Sequence, residues 1–159
     1  MNVRSRLVVA LGLCVLTTAV KGFAQADNPI IGTWELNVGK STYGAGNPPK
    51  KDMRTFTADG DGYKYFSTGT AADGTPFVRT YTAHYDGKDY PTTGQPDAES
   101  IAIKRIDRFT TETIQKRGGK VVITSTRVVS KDGKSFTLTS KGINAAGKEF
   151  TNVLVFDKR

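Results

Sequence analysis

The sequence predicts an all-β fold: a single antiparallel up-and-down barrel of eight to ten strands. Three observations point there. Glycine-bearing turn signals of the hairpin type punctuate the chain, at Asp59-Gly60-Asp61-Gly62, Asp73-Gly74, Asp86-Gly87, Gly118-Gly119, Asp132-Gly133 and Ala146-Gly147. Between them lie short runs of β-branched and aromatic residues. No window beyond the first 26 residues holds a sustained apolar stripe at helical spacing, so helix content is expected to be very low. Sequential hairpins make a meander, and a long meander protects its edges best by closing on itself.

The elements follow in chain order. Arg4 and Arg6 precede residues 7–20, which carry no charge, and Ala24-Gln25-Ala26 has the small-x-small form that a signal peptidase reads. The apolar run is too short for a spanning helix, which needs roughly 20 residues. Residues 1–26 are therefore expected to be an export signal cleaved after Ala26. That leaves residues 27–159 as one barrel domain with no transmembrane segment, in the periplasm or the medium. Strands are expected over 32–38, 53–58, 63–69, 77–85, 100–106, 110–117, 121–130, 135–143 and 150–157. In the first of these Trp34, Leu36 and Val38 share a phase and are expected to face the core. Residues 39–52 include Gly44, Gly46, Pro48 and Pro49, which rule out a central strand and suit a segment lying across a barrel mouth. Asp107-Arg108 is expected to make a tight turn without glycine.

Composition narrows the chemistry. One cysteine (Cys14) and one histidine (His84) exclude a disulfide framework and a Cys/His zinc site. Asp59-Gly60-Asp61-Gly62 opens like a calcium loop, but Tyr63 and Thr70 stand where further oxygen ligands belong, so it reads as a turn and no metal or other cofactor is expected. The acids Asp59, Asp61, Asp73, Asp86 and Asp132 sit in turn signals, where turn chemistry explains them without catalysis. His84 has no serine or cysteine motif around it, so no catalytic residue is assigned. The formal charge is +8, and export would remove Arg4, Arg6 and Lys21 from it. Lys104, Arg105, Arg108, Lys116, Arg117 and Lys120 form a basic stretch. It reads as a solvated face or as an attractor for anionic envelope polymers and lipid headgroups. Only Phe109 lies near it as a stacking aromatic, which argues against nucleic acid.

Strand phase is the most informative pattern. Phe77, Arg79, Tyr81, Ala83 and Tyr85 share one face. Ile101 and Ile103 are in phase with Arg105, while Val121, Ile123 and Val129 are in phase with Arg127. An interior arginine needs a carboxylate, a hydrogen-bond network or an anionic ligand. Arg79, Arg105 and Arg127, with the phenols of Tyr65 and Tyr81, are the candidate ligand-binding residues.

Gly32-Thr33-Trp34 at the start of the first strand, with Val153-Leu154-Val155-Phe156-Asp157-Lys158 at the last, resembles the lipocalin and fatty-acid-binding-protein superfamily of small ligand-holding barrels. The resemblance implies that Trp34 seals one end of the barrel and that Lys158 or Arg159 packs over its ring. Two features depart from the fatty-acid-binding proteins. Residues 39–52 do not suit the helix pair those proteins place after the first strand, and Leu154 and Phe156 replace the Arg-x-Tyr that clamps their ligand. Tyr85-Asp86-Gly87-Lys88-Asp89-Tyr90-Pro91 and Lys104-Arg105-Ile106-Asp107 also look like segments of small secreted bacterial proteins beginning Gly-Thr-Trp. The expected function is an exported, non-enzymatic protein enclosing a small amphipathic, acidic ligand. The alternative is an envelope interaction module, or an inhibitor of an exported hydrolase, with a packed interior. A cavity above ~300 Å³ favours the first and a filled barrel the second.

Overall fold

The computed structural model describes residues 28–44 and 47–159; the expected signal sequence and its cleavage site lie outside them. Ten strands follow one another as β1 (Gly32–Leu36), β2 (Lys51–Asp59), β3 (Gly62–Thr70), β4 (Pro76–His84), β5 (Tyr90–Pro91), β6 (Ser100–Arg105), β7 (Thr110–Arg117), β8 (Lys120–Val129), β9 (Ser135–Ile143) and β10 (Glu149–Lys158). Their order in the sheet is β4-β3-β2-β1-β10-β9-β8-β7-β6-β5, and every pairing is antiparallel. The result is an up-and-down barrel that is nearly closed. The nine expected strands are present, and β5 is a tenth.

The first and last strands meet in register, with Trp34 opposite Lys158 and Leu36 opposite Phe156. The remaining seam, between β4 and β5, is stitched by a single bridge. The amide of Thr80 donates to the carbonyl of Thr93 at 3.0 Å, and the amide of Thr93 returns the bond at 2.9 Å. Gly94 follows with φ +72, and a Cβ there would stand 2.0 Å from the Val78 carbonyl. Only glycine fits so close to the neighbouring backbone. Gly94→Ala is expected to cost about 1 to 3 kcal/mol and to accelerate hydrogen exchange at the Thr80 and Thr93 amides. Unchanged exchange would show that the seam does not depend on this approach.

The core is densest at one end of the barrel. Trp34 is fully buried, its Nε1 donates to the Ile30 carbonyl at 2.7 Å, and its ring meets Phe136 edge-on at 5.0 Å. Phe136 in turn stacks on Phe156 at 4.6 Å. Lys158 Nζ lies 5.0 Å from the Trp34 ring centroid, while Arg159 is drawn off to an ion pair with Glu35. Two expected inward positions prove to be exposed. Val38 leaves the strand because the Asn37 side chain accepts the Lys40 amide and starts a 3-10 turn over Val38–Lys40. Val121 turns outward because the β7–β8 register shifts at Gln115/Lys116, which inverts the phase of everything before Ile123. Thr42 to Gly44 do not cross the mouth but continue the β1 side of the ladder along β10, through the Thr42–Val153 bridge and the bond from the Gly44 amide to Asn152 Oδ1.

Candidate ligand-binding site

Period-2 alternation sends a mixed set of side chains inward above the sealed end, with Ile101 of β6, Thr113 of β7 and Leu154 of β10 among them. β2 contributes Arg54 and Phe56, β3 Tyr65, β4 Arg79 and Tyr81, β8 Ile123, Ser125 and Arg127, and β9 Phe136, Leu138 and Ser140. They line a cavity of about 160 Å³, rimmed at the opposite end by the half-buried Gln95, Asp97, Gln115, Phe150 and Asn152. Asp97 is held at that rim, accepting the Ala145 amide at 2.7 Å. The segment after β5 is thus tied to the β9–β10 turn.

Three guanidiniums line this space, and their partners differ. Arg54 is neutralised: its Nε and Nη2 donate to Asp52 Oδ2 at 3.1 and 2.8 Å, and Ser67 Oγ donates to Oδ1 at 2.7 Å. Asp52 is 1% exposed. Burial by itself would raise its pKa, but the charge and hydrogen bonds of Arg54, the Ser67 hydroxyl and the charge of Arg79 together hold it below the usual carboxylate range. Arg127 is 4% exposed and has no carboxylate within ion-pair distance among the described residues. Its one hydrogen bond runs from Nη2 to the Tyr63 hydroxyl at 3.3 Å, and its guanidinium carbon stands 4.9 Å from the Phe56 ring centroid and 5.2 Å from that of Tyr63. Arg79 lies on the Phe77 ring at 4.2 Å, and its Nε is buried without any hydrogen bond.

The tyrosines complete the wall. Tyr65 and Tyr81 stack with centroids 4.5 Å apart, and the Tyr81 hydroxyl stands 3.4 Å from that of Tyr63. Burial first, and the neighbouring phenols after it, push the Tyr81 pKa well above its ordinary value, so this phenol stays protonated and able to donate.

Of the residues singled out in the sequence, Arg79, Tyr81, Tyr65 and Arg127 converge on the cavity. Arg105 does not. It lies 4.1 Å over the Tyr85 ring, in the region where Asn28 donates to the Tyr85 hydroxyl, and takes no part in the cavity wall. Arg54 and its partner Asp52 escaped the sequence reading, although the alternation Asp52, Arg54, Phe56 carries the same signal as Arg79 among its aromatic neighbours. His84 lies apart, its Nδ1 2.9 Å from Asp61 Oδ1 and its Nε2 4.0 Å from Asp59 Oδ2. Lys116 of the basic stretch pairs with Asp89 at 2.7 Å. Among the described residues no group of three or more His, Cys, Asp or Glu is placed to hold a metal, and no helix is long and apolar enough to cross a membrane. Chemically, the site offers one cationic fork, Arg127, with no carboxylate in ion-pair distance among the described residues, a second, Arg79, within the field of Asp52, phenolic donors and aromatic rings.

No family model matches the chain, and no curated protein matches it in sequence. The likeness to small secreted bacterial proteins beginning Gly-Thr-Trp is therefore not shown. Solved structures with similar folds include the zebrafish ileal bile acid-binding protein complexed with cholic acid, at 10% identity and a TM-score of 0.47, covering 82% of this chain and 99% of that one. Lobster apocrustacyanin A1 matches at 17% identity and a TM-score of 0.44, over 83% of this chain. Apocrustacyanin C2 matches at 17% identity and 0.45, also over 83%. The chain spans 62% of the length of each crustacyanin. These are barrels of the fatty-acid-binding-protein and lipocalin type. The fold of the present chain rests on its own strand order.

Proposed function

We propose that this chain is an exported, non-enzymatic binding protein that encloses a small amphipathic, acidic ligand, with the acid group held between Arg79 and Arg127. One observation carries the reading: three guanidiniums line the cavity and its buried acid, Asp52, is bound to Arg54, which leaves Arg127 with no carboxylate in ion-pair distance among the described residues and Arg79 with a buried Nε that makes no hydrogen bond. Burying an uncompensated charge is costly. A bound anion supplies what the fold leaves out, and a planar guanidinium engages a carboxylate through two parallel bonds. Export rests on the Arg4/Arg6 region, the uncharged run and Ala24-Gln25-Ala26.

The rival reading is an interaction module that meets envelope components with its outer surface. It is favoured by the cavity volume, since about 160 Å³ lies below the ~300 Å³ at which ordinary ligand sites begin. Titrating wild type, Arg79→Met and Arg127→Met with matched acidic and neutral ligands separates the two. Wild type is expected to prefer the acid and each variant to lose that preference by about tenfold or more, with Arg127→Met keeping or gaining thermal stability, because the methionine keeps the apolar bulk and removes a buried charge that has no carboxylate partner. Equal affinity for acid and neutral ligands in wild type would move the assignment to the interaction module.

A further inference from the structure

The cavity is small, and its size selects among acids. An apolar cavity of about 150 Å³ accommodates one benzene ring, and the space here is about 160 Å³. Part of its wall is planar: the ring of Tyr65, stacked on Tyr81, faces the same space as Phe56 and Phe136. A ring inserted there meets aromatic neighbours that favour offset or edge-on contacts. Nor does the rim offer a greasy channel for a trailing chain. Gln95, Asp97, Gln115 and Asn152 supply polar groups, with Phe150 the one apolar side chain among them, and Asp97 would oppose a second negative charge at the mouth. Within, the charge balance leaves Arg79 and Arg127 for the ligand once Arg54 is paired with Asp52.

We propose that the cavity takes a monoanionic carboxylate of one aromatic ring's bulk, an aryl carboxylate, and excludes long-chain acids. This specification rests on the acid-binding reading above and adds to it the size, shape and charge of the ligand. The acid group lies between Arg79 and Arg127, and the ring lies against Tyr65, Phe56 and Phe136.

Calorimetric titration of the purified protein with benzoate, benzyl alcohol, phthalate and dodecanoate tests it. Benzoate is expected to bind one to one, with benzyl alcohol, phthalate and dodecanoate each weaker by about tenfold or more. Thr113→Leu keeps all three arginines while adding bulk at a buried position of the wall, and is expected to weaken benzoate by a similar factor. A circular dichroism melt checks that this variant is folded. The ligand series on wild type decides the matter even if it is not. Dodecanoate binding as tightly as benzoate would overturn the compact-ligand assignment and leave the acid-binding reading standing. Benzyl alcohol binding as tightly as benzoate would overturn the acid-binding reading. No binding of any of the four would overturn both.

Discussion

Replacing Trp34 by alanine is expected to lower stability by about 3 to 5 kcal/mol, the range for truncating a large buried aromatic. The residue is fully buried, and its loss removes several contacts together. The edge-on packing against Phe136 disappears, the Ile30 carbonyl loses its donor, and Lys158 loses the ring beneath its ammonium. Trp34→Phe separates these terms. It retains an aromatic face but leaves the buried Ile30 carbonyl unsatisfied, so an intermediate loss is expected. Equilibrium urea unfolding measures both. A Trp34→Ala protein with an unchanged midpoint would show that this end of the barrel is not held by its tryptophan.

Removing the carboxylate of Asp52 is expected to have a comparable effect by a different route. Asp52→Ala leaves the guanidinium of Arg54, whose side chain is 11% exposed, without its counter-ion, and breaking a buried pair in this way costs about 3 to 5 kcal/mol. The double variant Asp52→Ala/Arg54→Met removes both charges and is expected to recover most of that loss. No recovery would mean that Asp52 acts through Ser67 instead of Arg54. The same pair gives a pH dependence of definite sign. The pKa of Asp52 is lower in the folded chain than its ordinary value of 3.8. Its contribution is therefore complete above that value and declines as acid protonates the folded carboxylate. Stability of wild type should fall on acidification below about pH 4. The Asp52→Ala/Arg54→Met protein should lack this component of the decline.

Much of the barrel can be read in the sequence because each hairpin announces itself chemically. Asp107 shows how this works without glycine: its Oδ1 accepts the amides of both Phe109 and Thr110, at 2.7 and 2.8 Å, and so closes the β6–β7 turn. Alternation likewise places Phe77, Arg79, Tyr81 and Ala83 on the inner face of β4. What escapes is what period and propensity do not encode. Tyr90–Pro91 is two residues long and contains a proline, so no local pattern marks it as a strand; it exists because β6 lies beside it. Val121 breaks the alternation because β8 carries one extra residue, Val122, opposite the Gln115/Lys116 step of β7, which the residues of β8 alone do not announce. Arg105 is in phase with Ile101 and Ile103, but phase specifies only the face. Register aligns it with Arg127 through Thr111, yet its guanidinium settles over the Tyr85 ring and stays out of the cavity wall. The partner of each arginine is a tertiary fact too: Asp52 lies two residues from Arg54, whereas Arg127 meets Tyr63 across 64 positions of chain.

The pairing of the first strand with the last has a kinetic side. Glu35 and Arg159 are joined across 124 positions, and β1 is hydrogen-bonded to β10 and β2 and to no strand between them in sequence. The Trp34 cluster needs Phe136 and Phe156, so it cannot assemble until β9 and β10 have been synthesised. Hairpins from β2 to β4 and from β6 to β9 involve neighbours in sequence and can form early. The ring closes late, after the largest loop-closure entropy has been met. Folding should thus be slow for a chain of this length, with local hairpins preceding a rate-limiting closure, and changes at the β1–β10 interface should slow that step more than changes within the β7–β8 hairpin.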